Sequence, residues 1–211
     1  MKKQWHSAWQ IPSFRIKFLA GLVLLLAILV YFPFFFKAID NRHGGVLTDI
    51  VLQWIRPRDL SPLVFLLIWS SFLLLIIRLI PAPDLVLLVL WGYGLLTVLR
   101  MICIGLVSLN PPEGLIPLAD PLTNLFYGSH YITHDLFFSG HTATVCLIFF
   151  CLKRRWDKYF AGLATVLTGL FLLIQHVHYS IDVLAAPFIT YAVYRIARLI
   201  TSREHRLLTR A

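Results

Sequence analysis

Six long apolar runs dominate the chain, at residues 18–36, 62–80, 85–109, 136–152, 159–175 and 181–200. Each is close to the ~17–25 residues that a helix needs to cross the hydrocarbon core of a bilayer. Composition points the same way: 59% of positions are hydrophobic and 14% charged, against about 45–50% and 25% in soluble domains. A mean hydropathy of +0.78 excludes a secreted disulfide scaffold, a disordered tail and a nucleic-acid binder. The expected fold is an all-α, six-span membrane protein. Its division is a 1–17 N-terminal segment, an 18–200 membrane domain and a 201–211 basic tail.

The chain carries 19 Lys and Arg against 10 Asp and Glu, and their distribution sets topology rather than a nucleic-acid site. Lys2, Lys3, Arg15 and Lys17 precede the first run, and Lys153, Arg154, Arg155 and Lys158 fill the loop between the fourth and fifth. Arg195, Arg198, Arg203, Arg206 and Arg210 follow on the last. The positive-inside rule then places both termini in the cytoplasm, with Lys37, Arg42, Arg56, Arg58 and Arg100 on or near the outer side. The inner cations also suit contacts to anionic lipid. Arg78, Arg195 and Arg198 lie near inner helix ends and read as snorkelling anchors. The first run is too long for a signal h-region and lacks a small-residue cleavage site, so no cleavable leader is expected. Cys103, Cys146 and Cys151 all fall inside expected spans and read as small buried apolar residues.

Ionisable groups at membrane depth are costly, which makes each a functional candidate. Arg100 falls about two turns inside the outer end of the third span, where its donor fork suits a phosphate or its stem simply packs and snorkels. Ser139-Gly140-His141-Thr142 opens the fourth span, and His178-Tyr179-Ser180-Ile181-Asp182 opens the sixth. His178 and Asp182 are four apart, so on a helix they share one face. A carboxylate on one ring nitrogen orients the imidazole and makes the other a better nucleophile or base. With His141 as a second imidazole, the set supplies what phosphoryl transfer needs: nucleophile, acid, orienter and charge clamp.

The stretches Leu99-Arg100-Met101 through Ser108-Leu109-Asn110-Pro111, Asp135 through Thr142, and His176 through Val183 resemble the sphingomyelin synthase family. That family is a branch of the type 2 phosphatidic acid phosphatase superfamily, and the resemblance covers roughly residues 49–200. It implies a six-span fold with the site on the non-cytoplasmic (periplasmic, exoplasmic or lumenal) face. It implies that His178 attacks phosphorus to give a phosphohistidine, supported by Asp182. It further implies that His141 protonates the departing diacylglycerol oxygen and later deprotonates the acceptor hydroxyl. The donor would be a membrane phospholipid carrying phosphocholine or phosphoethanolamine; ceramide, diacylglycerol or water would accept.

The sequence departs from the family at three places. The family's Pro-Leu-Pro-Asp stretch is at best Leu47-Thr48-Asp49 here, which leaves the head group and acceptor open. The N-terminal adaptor of some animal members is not expected, and Gln175 and His176 stand where the phosphatases carry an Arg signature, which favours the synthase branch.

Supporting candidates each have two readings. Asp135 caps the fourth helix or assists the site; His176 bonds His178 or is an interfacial residue; Glu113 is solvated or contacts a head group. Tyr127, Tyr131, Tyr179 and Phe137 could form a cation–π cage for choline or act as interfacial anchors. His130 and His134 could join His176 and His178 around a metal, but the spacing is irregular and no Cys or carboxylate cluster completes it. No metal and no cofactor is therefore expected. Competing functions are a lipid phosphatase or phospholipase C using water, a serine hydrolase on Ser139 and His141, whose side chains diverge on a helix, and a non-enzymatic lipid transporter. The oligomeric state is left open.

Overall fold

A computed structural model describes residues 2–40, 42, 44–118 and 135–210. Among these the regular structure is helical: α1 (Lys2–Gln10), α2 (Pro12–Asp40), a single turn α3 (Ile50–Gln53), α4 (Ser61–Leu79), α5 (Pro83–Leu106), α6 (Gly140–Cys151), α7 (Arg155–Ile174) and α8 (Ser180–Arg210). The helices α2, α4, α5, α7 and α8 are long and apolar enough to cross a membrane. Their outward residues, such as Val23, Val30, Leu66, Leu163 and Leu184, are exposed apolar side chains, a surface that hydrocarbon would cover.

The apolar run at 136–152 becomes a shorter helix than its length suggests. α6 has 12 residues, about 18 Å at 1.5 Å per residue, well short of the ~30 Å hydrocarbon core. Ser139 ends the run's helical part by capping it, its Oγ accepting the Thr142 N–H. The preceding residues 135–138 are turned so that their carbonyls serve another residue, described below. α6 is central: it packs against α7, α8, α5 and α4, and Val145, Cys146, Leu147, Ile148 and Cys151 are all buried. The helix is thus apolar all round because it is enclosed all round.

The termini of the long helices gather at two polar ends. At one end, Arg42 donates to the carbonyls of Ile104 and Gly105 at 2.9 Å and caps α5. Gly44 lies so close to the Leu109 backbone that a Cβ would come within 2.6 Å of it. Gln175 donates to Ser61 Oγ at 2.8 Å, and its Oε1 accepts the Leu60 N–H. At the other end Trp5 donates to the Ile80 carbonyl, and Lys17 pairs with the buried Glu204 at 2.8 Å. Arg78 is not a free snorkelling anchor: its Nε and Nη2 meet the two Asp157 carboxylate oxygens at 2.6 and 3.0 Å, joining α4 to α7. α2 begins at Pro12, and α8 continues unbroken to Arg210.

Candidate active site

Asp182 lies in the first turn of α8, and its Oδ2 accepts the Tyr179 N–H at 3.1 Å. This backward reach is one half of a capping box. It fixes the carboxylate beside His178, whose Nδ1 is 3.5 Å from the same oxygen. Both side chains are buried, at 3% and 0% exposure. The pairing expected from a shared helix face is achieved differently, because α8 starts at Ser180 and His178 precedes it. The fold of the cap, rather than helical periodicity, brings imidazole and carboxylate together. His178 Nδ1 and Asp182 Oδ1 have no hydrogen-bond partner among the described residues. A small contraction would complete the Nδ1–Oδ2 bond, as catalytic contacts often tighten when substrate binds.

The backbone ties this pair to the start of α6, since the Ser139 N–H donates to the Asp182 carbonyl at 3.2 Å. Ser139 is fully buried and its hydroxyl bonds Thr142 Oγ1 at 3.0 Å. Its geometry is that of a helix cap, not of a nucleophile. His141 follows on the first turn and lies edge-on to Phe65, ring centroids 6.4 Å apart.

Arg100 approaches the same turn from α5. Its guanidinium lies against Gly140, where a Cβ would sit 2.7 Å from Cζ. It donates to the Phe138 carbonyl, to the Asp135 carbonyl at 2.8 Å and to the Asp135 carboxylate at 2.7 Å. Asp135 is therefore the ion-pair partner of Arg100. Among the described residues, three of its five guanidinium N–H groups are engaged. Arg100, Gly140 and His141 line one cavity of about 260 Å³ with Thr97 and Tyr93 of α5 and Phe32 of α2.

The other expected site residues go elsewhere. Both ring nitrogens of His176 face backbone carbonyls, Glu113 at 2.7 Å and Ile55 at 3.0 Å, so it joins two loops instead of bonding His178. Its backbone is left-handed, φ 55°. Tyr179 is buried; its hydroxyl accepts the Leu47 N–H and donates to the Asn110 carbonyl at 3.0 Å. Burial pushes that phenol above its ordinary pKa, and the side chain braces a loop rather than forming a cage wall. Phe137 packs against Leu52, Leu109 and Tyr179 in the same apolar cluster. Glu113 is exposed and edges a separate cavity of about 340 Å³ with Asp49, Gln53 and His176. Tyr127, Tyr131, His130 and His134 lie outside the described residues. Among the described residues no three His, Cys, Asp or Glu side chains converge as a metal site would require.

Two contributors had no clear signal in the sequence. Gly140 matters only because Arg100 rests on it. Asp49 accepts the Ser180 N–H at 2.6 Å and its hydroxyl at 3.0 Å. It thereby caps α8 from 131 residues away. Burial raises the Asp49 pKa, but the hydrogen bonds from Ser180, Leu52 and Val51 outweigh it and hold the carboxyl below its usual range.

Residues 134–199 match the PAP2 superfamily C-terminal family. A stretch of 69 residues is 35% identical to human phosphatidylcholine:ceramide cholinephosphotransferase 2 and 33% identical to the Macaca fascicularis protein of the same name. These alignments cover 30% of this chain and 19% of each relative, about a fifth of their length. The resemblance to the sphingomyelin synthase family, within the PAP2 superfamily, is thus borne out, and the superfamily match spans Asp135, Ser139, His141, His178 and Asp182.

Proposed function

We propose that the chain is a membrane enzyme that moves a phosphoalcohol head group between lipids through a phosphohistidine. The observation that carries this reading is the buried His178–Asp182 pair, hydrogen-bonded through Ser139 to the turn on which Arg100 and His141 meet. With Asp182 on Nδ1, Nε2 of His178 is the nitrogen left to attack phosphorus. The bond from phosphorus to the diacylglycerol oxygen breaks, and His141 supplies the proton to that oxygen. In the second half-reaction His141 takes the proton of the acceptor hydroxyl as that oxygen attacks the phosphohistidine and frees His178. Arg100 offsets charge building on the phosphoryl oxygens. The positive-inside distribution supports six spans with this site on the non-cytoplasmic face.

A lipid substrate is supported by a neighbouring apolar cavity of about 410 Å³. Phe72, Tyr93 and Thr144 line both cavities, so a head group at Arg100 has room for hydrocarbon beside it. The test incubates the purified full chain with labelled phosphatidylcholine, alone and with ceramide or diacylglycerol, and identifies products by mass spectrometry. A labelled sphingolipid or exchanged phosphatidylcholine supports transfer. Free phosphocholine without acceptor assigns hydrolysis by water instead. Either product surviving unchanged in His178→Ala would overturn the phosphohistidine route.

A further inference from the structure

The end of the bundle remote from His178 contains a further cavity, of about 600 Å³, between the start of α5, the α6–α7 connection and the second half of α8. Lys153, Lys158, Arg198 and Arg206 line it, and among the described residues its one lining carboxylate is Asp84. Asp84 Oδ2 is 2.8 Å from Lys153 Nζ and 2.7 Å from His205 Nδ1. Among the described lining residues, four cations and a histidine thus stand against one carboxylate, a local excess of positive charge. The cavity floor is apolar, formed by Leu85, Leu88 and Phe150. Asp84 and Arg100 stand 16 residues apart on α5, about 24 Å along its axis. This cavity is therefore distinct from the catalytic one and lies at the opposite polar end.

We propose that this cavity binds the phosphate of an anionic phospholipid, with its chains lying along the Leu85, Leu88 and Phe150 floor. Basic pockets between membrane helices suit such head groups. One feature favours a lipid over free phosphate: Leu85, Leu88 and Phe150 give the lining hydrocarbon, which a soluble anion has no use for. Lys158 is held with its ammonium 4.9 Å above the Phe149 ring, which limits how far it can swing away.

The test places the purified full chain in phosphatidylcholine nanodiscs containing a minor fraction of phosphatidylglycerol and counts retained lipids by native mass spectrometry. Wild type should retain phosphatidylglycerol selectively. The triple variant Lys158→Gln, Arg198→Gln, Arg206→Gln should lower that retention by about tenfold or more, and Arg198→Lys with Arg206→Lys should preserve it. Unfolding in pure phosphatidylcholine nanodiscs checks that the variants fold; if the triple does not, Arg198→Gln with Arg206→Gln on the exposed face of α8 serves. Equal retention by wild type and variant overturns the site, as does equal retention of phosphatidylcholine. Displacement by millimolar inorganic phosphate would assign the site to free phosphate and overturn the lipid occupant. None of these readouts depends on turnover at His178, so the two readings fail separately.

Discussion

Arg100 and Asp135, 35 residues apart in sequence, form a 2.7 Å ion pair at the mouth of the short helix α6. Asp135 is thus bonded to Arg100, and the helix cap is supplied instead by Ser139. The pair sets the guanidinium over Gly140, pointing into the cavity that His141 also lines.

Unequal losses should follow from that arrangement. Arg100→Gln removes the charge itself and should lower kcat by about 10²–10³-fold, the usual cost of one preorganised transition-state donor. Asp135→Asn keeps the guanidinium but loosens it, costing about 1.5–3 kcal/mol of charge-assisted bonding, or about 10–100-fold in kcat/KM. Steady-state kinetics on the labelled lipid assay checks the order. A larger loss from Asp135→Asn than from Arg100→Gln would contradict it.

Gly140→Ala tests the same contact by sterics alone. The added methyl would fall 2.7–2.9 Å from Cζ, Nη1 and Nε of Arg100, and a flexible side chain can retreat from it. The thermal midpoint should therefore change little, since Ala is otherwise favoured in the first turn of a helix. Activity should drop at least tenfold because the guanidinium is displaced by ångströms. Wild-type activity in Gly140→Ala would separate Arg100 from the reaction.

Asp182→Asn should leave the Tyr179 N–H satisfied by the amide oxygen while removing the charge that faces His178. The expected fall in kcat is about 10²–10⁴-fold, the range for acid–base and orienting groups, with the protein still folded by thermal melt. His178→Ala should remove turnover and the phosphorylated species together, read as an acid-labile adduct by intact mass. A variant lacking His178 that still formed the adduct would move the nucleophile elsewhere.

Part of this site was legible in the sequence because its residues carry their chemistry locally. His141, His178 and Asp182 sit in short motifs whose order and spacing are visible without any fold, and the apolar runs mark the five long helices, although α2 begins six residues before its run and α8 ends ten residues after its own. What was not legible depends on contacts made across the chain. Arg42 capping α5, Gln175 bonding Ser61 and Asp49 capping α8 join residues more than 60 positions apart. Arg78 looked like an anchor because its carboxylate partner, Asp157, lies on another helix. The extent of α6 escaped the hydropathy pattern because Leu136, Phe137 and Phe138 are apolar yet non-helical. The Asp135 and Phe138 carbonyls are turned to Arg100, which a helix running through them would forbid.

Packing just behind the His178–Asp182 pair should be unforgiving. A Cβ on Gly169 of α7 would come 2.7 Å from Val183 Cγ1, one residue after Asp182. A β-branched side chain cannot swing away as an arginine can. Gly169→Ala should cost about 1–3 kcal/mol through overpacking, read as a lowered midpoint in thermal or denaturant unfolding. An unchanged midpoint would mean that α7 and α8 can separate at this level without penalty.

Acid should release the clasp between Asp49 and the start of α8. The carboxyl is held below its ordinary pKa of about 3.9. Its contribution to stability is therefore complete above that value and is lost as pH falls through the lowered folded value, because the unfolded chain takes up the proton first. The wild-type thermal midpoint should hold steady from pH 7 to about 5 and decline below about 4. Asp49→Asn should start lower at neutral pH and decline less steeply, since it has no proton to gain. The Ser180 hydroxyl and N–H both bond this carboxylate, so Ser180→Ala should remove only part of the effect. Parallel wild-type and Asp49→Asn profiles below pH 5 would show that the clasp contributes nothing to acid sensitivity.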